Sequence, residues 1–257
     1  MAKTALITGT TSGIGKALAE KFAQEQHILI LVSRDEHKLK MQADELSAKY
    51  NIAVHIFPID LVEIDAARKV FEFVQKLKLN IEILVNNAGF TEHGAFSDND
   101  LQKEIEMIQL HIIFTTEMIK CFLPKMLENN YGRIMNLGST SSYIPCPYDA
   151  VYAATKAYIL SMSKGLSSEL KGTGVSITVL CPGPTKTEFA HKAGMENTLL
   201  FKIFVMTPEA VAHIGYNALI KRKVAVTTGL YNKLLVFLSK ISPASIVSYS
   251  ARVMLKG

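Results

Sequence analysis

Cysteine is scarce in these 257 residues: there are three, Cys121, Cys146 and Cys181, and no two stand close together. An odd, scattered set builds no disulfide framework and supplies neither a redox C-x-x-C nor a zinc knuckle. Buried free thiols in a reducing compartment are the reading that remains. Long hydrophobic runs are missing too, since no stretch approaches the roughly 18 uncharged apolar residues of a membrane-spanning helix. No signal or transit pattern precedes the first apolar run, where Met1-Ala2-Lys3 leads straight into residues 4–8. These absences give the expectation of a cytoplasmic protein. The histidines His27, His37, His55, His93, His191 and His213 show no ligand spacing, so no metal is expected. Internal repeats and low-complexity segments are also lacking.

Acidic residues are absent from one region. Residues 221–257 contain seven basic side chains and no carboxylate, so the net charge of +5 comes from this tail. The rest of the chain has 21 basic residues against 23 acidic ones, which provides no basic face for nucleic acid. Apolar residues make up 49% of the chain, enough for a large core in one α/β domain.

What is present alternates. Short apolar runs at 4–8, 28–32, 54–57, 83–86, 132–137, 175–180 and 224–227 read as strands. Helical patterns at 14–24, 37–50 and 65–78 separate the first of them. This order predicts a Rossmann-type, doubly wound, seven-stranded parallel sheet, with ligand at the carboxyl ends of the strands. Residues 188–206 interrupt the alternation near that edge and read as a substrate lid, with Phe189, Met195, Leu199, Leu200, Phe201, Phe204 and Met206 as its apolar set. On this reading a catalytic body over 1–229 is followed by an amphipathic helical tail over 230–257. In the tail, Tyr231, Leu234, Leu235, Leu238 and Ile241 recur at helical spacing and Pro243 ends the run. The tail could pack on the body, pack on a second subunit, or rest on a membrane surface.

Three features carry chemistry. TGTTSGIG at 8–15 follows the first strand and opens a helix, where glycines at 9, 13 and 15 let backbone approach a pyrophosphate. The spacing is G-x-x-x-G-x-G, and a glycine-rich loop can also be only a turn. Tyr152 and Lys156 share one helical face, and an ammonium beside a phenol lowers its pKa toward neutrality, as a tyrosine acid/base requires. The bland alternative is an ordinary helix with a surface lysine. Gly138-Ser139-Thr140-Ser141-Ser142 lies at a carboxyl edge, where a hydroxyl could hold a carbonyl or could belong to a plain loop.

Taken together, TGTTSGIG, Asn86-Asn87-Ala88-Gly89, Ser139, Tyr152-Ala-Ala-Thr-Lys156 and Pro182-Gly183 resemble the short-chain dehydrogenase/reductases, over about residues 3–228. Within them the chain is most similar to the bacterial DltE-type short-chain reductases, through LCPGPTKTEFA at 180–190 and the tail. The resemblance implies a nicotinamide cofactor and a ketone or aldehyde reduced reversibly to an alcohol. Tyr152 would give the proton, Lys156 would tune it and hold the nicotinamide ribose, and Ser139 would orient the carbonyl. Gly9, Ser12, Gly13, Ile14 and Gly15 would cradle the pyrophosphate, and Asp60 and Leu61 would meet the adenine. Asn87, Ala88 and Gly89 would lie on the adenosine ribose side, and Pro182, Gly183, Thr185 and Thr187 at the nicotinamide. Arg34, closing the second strand, suits the 2′-phosphate of NADP, with the adjacent Asp35 as the opposing signal. The resemblance also implies a homodimer or homotetramer, joined through helices beginning near Asp100 and Val151.

The family's fourth catalytic residue is an asparagine, and His111 stands at its position. Read functionally, a neutral imidazole holds the water of a proton relay, and activity falls as pH drops through the reference value of about 6.5. Read blandly, His111 fills a helix and the position is vacant. A silent NADP-binding regulator and a peripheral-membrane lipid reductase are the alternatives to a soluble carbonyl reductase.

Overall fold

In the computed structural model, residues 2–203 and 205–256 are described. Seven strands form one sheet: β1 (Thr4–Thr8), β2 (Ile28–Ser33), β3 (Val54–Pro58), β4 (Ile83–Asn86), β5 (Gly132–Leu137), β6 (Val175–Cys181) and β7 (Ala225–Thr227). All pair in parallel in the order β3-β2-β1-β4-β5-β6-β7. Every residue of β1 and β4 is buried, because helices cover both faces of a parallel sheet. Ladder pairing carries β2, β3 and β6 one residue beyond their apolar runs, to Ser33, Pro58 and Cys181.

The helices are α1 (Gly13–Gln24), α2 (Glu36–Tyr50), α3 (Ala66–Leu77), α4 (Leu101–Ile108), α5 (Thr115–Glu128), α6 (Ala150–Glu169), α7 (Glu188–Lys192), α8 (Pro208–Ile220), α9 (Leu230–Ile241) and α10 (Ala244–Leu255). Leu18 and Phe22 of α1, Leu39 and Leu46 of α2, and Val211 and Leu219 of α8 pack with Ile7 and Leu31 on one face. Val70 and Val74 of α3, with Met118 and Phe122 of α5, pack with Leu6 and Leu84 on the other. The result is a three-layer sandwich. Its switch point lies between β1 and β4, where the connections diverge and a crevice opens.

Two local features matter for the site. Between α4 and α5 the helix widens into a π turn at Gln109–Phe114, which contains His111. The tail is two helices, with Pro243 at the N-cap of α10. Asn232 and Val236 are the buried positions of α9, whereas Leu234, Leu235, Leu238 and Ile241 are exposed. Of the apolar set in the sequence, Tyr231, Leu235 and Leu238 line the cavity. Apolar periodicity located the helix but did not single out Asn232, which is held by polar contacts that hydrophobicity does not register.

Candidate active site

The crevice begins where two loops press together. Gly9 (φ 69°) and Gly13 (φ 54°) sit in the left-handed region, which glycine enters without steric cost. A Cβ on Gly9 would stand 2.8 Å from Ala88 Cα, and one on Gly15 would stand 2.0 Å from the Gly9 carbonyl oxygen. Thr8 Oγ1 accepts from the backbone N–H groups of Asn87 (3.0 Å) and Ala88 (3.1 Å). Asn87 Nδ2 donates in return to the carbonyls of Thr8 (2.9 Å) and Gly9 (3.0 Å). Ser12 caps α1 without a side-chain hydrogen bond, so the N–H groups of the first turn have no protein cap there. Thr10 Oγ1 and Asn87 Oδ1 are buried with no partner among the described residues. A positive helix end beneath a glycine cradle, with orphaned polar atoms beside it, fits an anionic dinucleotide.

Arg34 follows β2 at the rim of this crevice, 74% exposed at its side chain and 3.7 Å from the Asp60 carboxylate. Asp35 is turned away. It caps α2, accepting from the Lys38 N–H at 3.0 Å, and pairs with Lys38 Nζ at 3.6 Å. The opposing signal in the sequence is therefore spent on helix capping.

One cavity of about 610 Å³ joins this crevice to the candidate catalytic side chains. Ser12, Gly13, Ile14, Asp60, Leu61, Asn87, Gly89, Pro182, Gly183, Thr185 and Thr187 line it together with Ser139, Tyr152 and Lys156. The serine-rich segment forms a short turn at Thr140–Tyr143, in which Ser139 Oγ accepts from the Ser141 N–H at 3.1 Å and Ser142 Oγ accepts from the Ser139 N–H at 3.0 Å. This fixes Ser139 toward α6. Burial pushes the Tyr152 phenol well above its ordinary value, and the neighbouring Ser139 hydroxyl opposes the rise. Burial also brings Lys156 down to about 8. Lys156 Nζ donates to the Leu137 carbonyl at 3.0 Å and lies 5.6 Å from the Tyr152 ring centroid. The expectation of a phenol drawn toward neutrality is thus corrected: desolvation by burial sets the direction of the shift.

His111 departs from expectation more sharply. The imidazole is 2% exposed, and both of its nitrogens are engaged by protein. Nε2 accepts from the Phe90 N–H at 3.3 Å, so Nδ1 carries the proton and donates to Thr155 Oγ1 at 2.9 Å. Thr155 Oγ1 donates in turn to the Tyr152 carbonyl at 2.7 Å. Burial, with Lys156 as a second cause, holds the imidazole pKa well below the ordinary histidine value. No ring nitrogen is left for a relay water, and the relay expectation gives way to a structural link. The ring ties the loop after β4 to the helix bearing Tyr152 and Lys156, edge-on to Tyr152 at 5.9 Å. A Cβ on Gly89 would stand 2.7 Å from Nε2, so a bare glycine is what admits the ring.

Away from the crevice the cavity is walled by Ile144, Phe189, Met195, Leu200, Phe201 and Val236. Residues 188–206 contribute α7 and a short turn at Leu199–Phe201, and a bridge joins Thr185 to Met206. Leu199 is exposed, and Phe204 lies outside the described residues. Three contributors escaped sequence reasoning. Thr155 is a polar residue on the helix between two candidate catalytic positions, which was a usable signal. Asp149 accepts from Thr91 Oγ1 at 3.1 Å and lines the cavity at the start of α6. Asn232 packs where a Cβ on Gly183 would sit, 2.3 Å away, and donates to the Thr228 carbonyl at 2.8 Å. Among the described residues, no group of three or more His, Cys, Asp or Glu side chains is placed to hold a metal ion.

Comparison with known proteins matches this arrangement. A family model described as short chain dehydrogenase covers residues 3–198. An uncharacterized oxidoreductase, YvrD of Bacillus subtilis, is 38% identical over 72% of this chain and 70% of its own. The 3-oxoacyl-[acyl-carrier-protein] reductase FabG of Aquifex aeolicus is 30% identical over 82% of this chain and 88% of its own. A short-chain dehydrogenase from Sphingobium yanoikuyae, solved in complex with NADPH, superposes with a TM-score of 0.83 at 28% identity, covering 93% of this chain and 94% of that one. The fold and its crevice define a nicotinamide-type oxidoreductase. The chain belongs to the short-chain dehydrogenase/reductase family.

Proposed function

We propose that this protein is an NADPH-dependent carbonyl reductase that converts an apolar ketone or aldehyde to the alcohol, reversibly. The observation that carries the reading is the single cavity in which Ser139, Tyr152 and Lys156 meet both the glycine cradle and an apolar wall. Gly9, Ser12, Gly13, Ile14 and Gly15 would hold the pyrophosphate. Arg34 would pair with a 2′-phosphate, an assignment supported by the commitment of Asp35 to α2. Asp60 and Leu61 would border the adenine, Asn87 to Gly89 the adenosine ribose, and Pro182, Gly183, Thr185 and Thr187 the nicotinamide. The bound dinucleotide supplies the hydride.

The protein's own work is orientation and proton supply. Ser139 holds the carbonyl oxygen against Tyr152, which donates its proton to that oxygen. Burial keeps the resting phenol protonated, as an acid in the reducing direction requires. Lys156, with its pKa near 8, is mainly charged at neutral pH and steadies the phenolate left behind. His111 acts through Thr155 as a positioning residue. We assign residues 1–229 to the catalytic body, 188–206 to a substrate lid and 230–257 to a tail that completes the cavity.

A homodimer or homotetramer fits Leu101, Ile105, Ile108 and Ile113 along α4 and the π turn, with Tyr158 of α6 beside them, all exposed. The three free thiols suit a reducing cytoplasm, and no helix among the described residues is long and apolar enough to cross a membrane. A panel of ketones and aldehydes of graded apolar size, followed by loss of NADPH absorbance, tests the assignment. Turnover should rise with apolar bulk and fall with NADH as donor. No turnover of any member would sink it.

A further inference from the structure

The hairpin of α9 and α10 has two distinct faces. Its inner side closes the cavity through Asn232, Val236, Ala251 and Leu255, all buried. Its outer side carries Leu230, Leu234, Phe237 and Ile241 at positions i, i+4, i+7 and i+11 along α9, with Tyr249 and Val253 on α10. Leu238 and Ile246, also exposed, line the cavity. All six outer residues are exposed, Leu230 by 83% and Ile241 by 66%. Phe96, itself exposed, shares a shallow groove with Tyr249 and extends the patch.

We propose that this hairpin docks the enzyme on an anionic lipid bilayer, and that its carbonyl substrate is a lipid-borne apolar molecule entering the cavity through this roof. The substrate half of the statement rests on the carbonyl-reductase reading, whereas the docking half does not. Charge selects the occupant. Lys233, Lys240, Arg252 and Lys256 flank the stripes, and residues 221–257 contain no Asp or Glu. A second copy of this uniformly positive face would meet repulsion, which disfavours self-association through it. The apolar face of α4 and the π turn already provides a surface for subunit contact. An apolar surface on two helices whose charged side chains are all cations matches a bilayer interface, with side chains in the acyl boundary and ammonium groups among lipid phosphates. Because the opposite side of the same helices lines the catalytic cavity, the docked hairpin lies between hydrocarbon and Tyr152.

Sedimentation of the full chain with vesicles tests the docking independently of turnover. Binding is expected to phosphatidylcholine vesicles containing phosphatidylglycerol, and to be weaker with phosphatidylcholine alone. The variant K233Q/K240Q should bind the anionic vesicles on the order of twenty-fold more weakly, since each surface cation adds roughly fivefold. L234Q/F237Q, at two exposed positions outside the cavity, should abolish sedimentation while leaving NADPH oxidation with a small water-soluble ketone unchanged. Its activity toward a long-chain ketone presented in vesicles should fall with its binding. Three results would overturn the proposal: no vesicle binding by the native chain, equal binding by both variants, or L234Q/F237Q converting an oligomer to monomer without altering sedimentation. Capture of a small acidic carrier protein in place of vesicles would assign the patch to a protein partner and equally end it. If vesicles bind but no carbonyl is reduced, the docking stands and the reductase reading falls.

Discussion

The cofactor crevice and the cavity roof are built by opposite means. The crevice is held by backbone: glycines at positive φ, Thr8 bridging two loops, and carbonyls gripping Asn87. These contacts tolerate almost no change of side chain, because a single Cβ at Gly15 would collide with the Gly9 carbonyl. The roof is held by side chains on short helices, and many of its apolar groups face outward. A rigid half that recognises one ligand is thus joined to an adaptable half that can be reshaped around another. Tyr152 stands at their junction, and substitutions can separate the two halves by their effects.

The largest effect belongs to the junction. Tyr152→Phe keeps the ring and removes the transferable proton, so turnover should fall by about 10²–10⁴-fold. NADPH affinity, followed by fluorescence titration, should be unchanged because the crevice is untouched. A variant retaining a tenth of native turnover would move the acid role to another residue. Next is Arg34→Ala, confined to the crevice. Loss of a charge-assisted contact to a phosphate should raise KM for NADPH roughly 10–100-fold while the carbonyl KM and the KM for NADH stay fixed. Equal changes with both nucleotides would remove Arg34 from any 2′-phosphate contact.

Lys156 gives a thermodynamic signal in place of a kinetic one. Its folded pKa, near 8, lies below the unfolded value of 10.5, so the unfolded chain binds the proton more tightly. The penalty is complete below pH 8 and is relieved as pH rises from 8 toward 10.5. Lys156→Met should therefore stabilise the cofactor-free protein at pH 7 by about 3 kcal/mol, with the gain fading by pH 10. Urea melts at the two pH values measure the difference, and a gain independent of pH would refute the buried-charge account.

The sequence made the sheet legible because each strand of a doubly covered parallel sheet is a near-continuous apolar run, and the cofactor loop legible because glycine is needed at Gly9 and Gly13 whatever surrounds them. The burial of Asn232 on α9 was not legible. Asn232 turns inward because its amide reaches the Thr228 carbonyl beside Gly183, a contact between segments that only the fold brings together. The pKa directions were hidden for the same reason. Spacing shows that Lys156 and Tyr152 share a face, but how much water surrounds them is a property of the closed structure.

His111 shows the same divide. Position alone offered a relay or a vacancy, and the structure offers neither, since both ring nitrogens already have protein partners. Its folded pKa lies below the reference value, so its contribution to stability is full above pH 6.5 and declines as pH falls below it, when the unfolded imidazole takes up a proton first. The slope from this one group cannot exceed about 1.4 kcal/mol per pH unit. His111→Leu leaves the Phe90 N–H and the Thr155 hydroxyl without their partner, costing roughly 1–3 kcal/mol for each group that stays buried. His111→Asn can restore one of these bonds and should recover part of the loss, while the slope below pH 6.5 shrinks in both variants. Turnover of the native enzyme should not follow a histidine titration near pH 6.5, because the imidazole is neutral on both sides of that value. A rate that falls through pH 6.5 in the native enzyme but not in His111→Asn would mean that the ring titrates during turnover, and the structural link would have to yield to a relay.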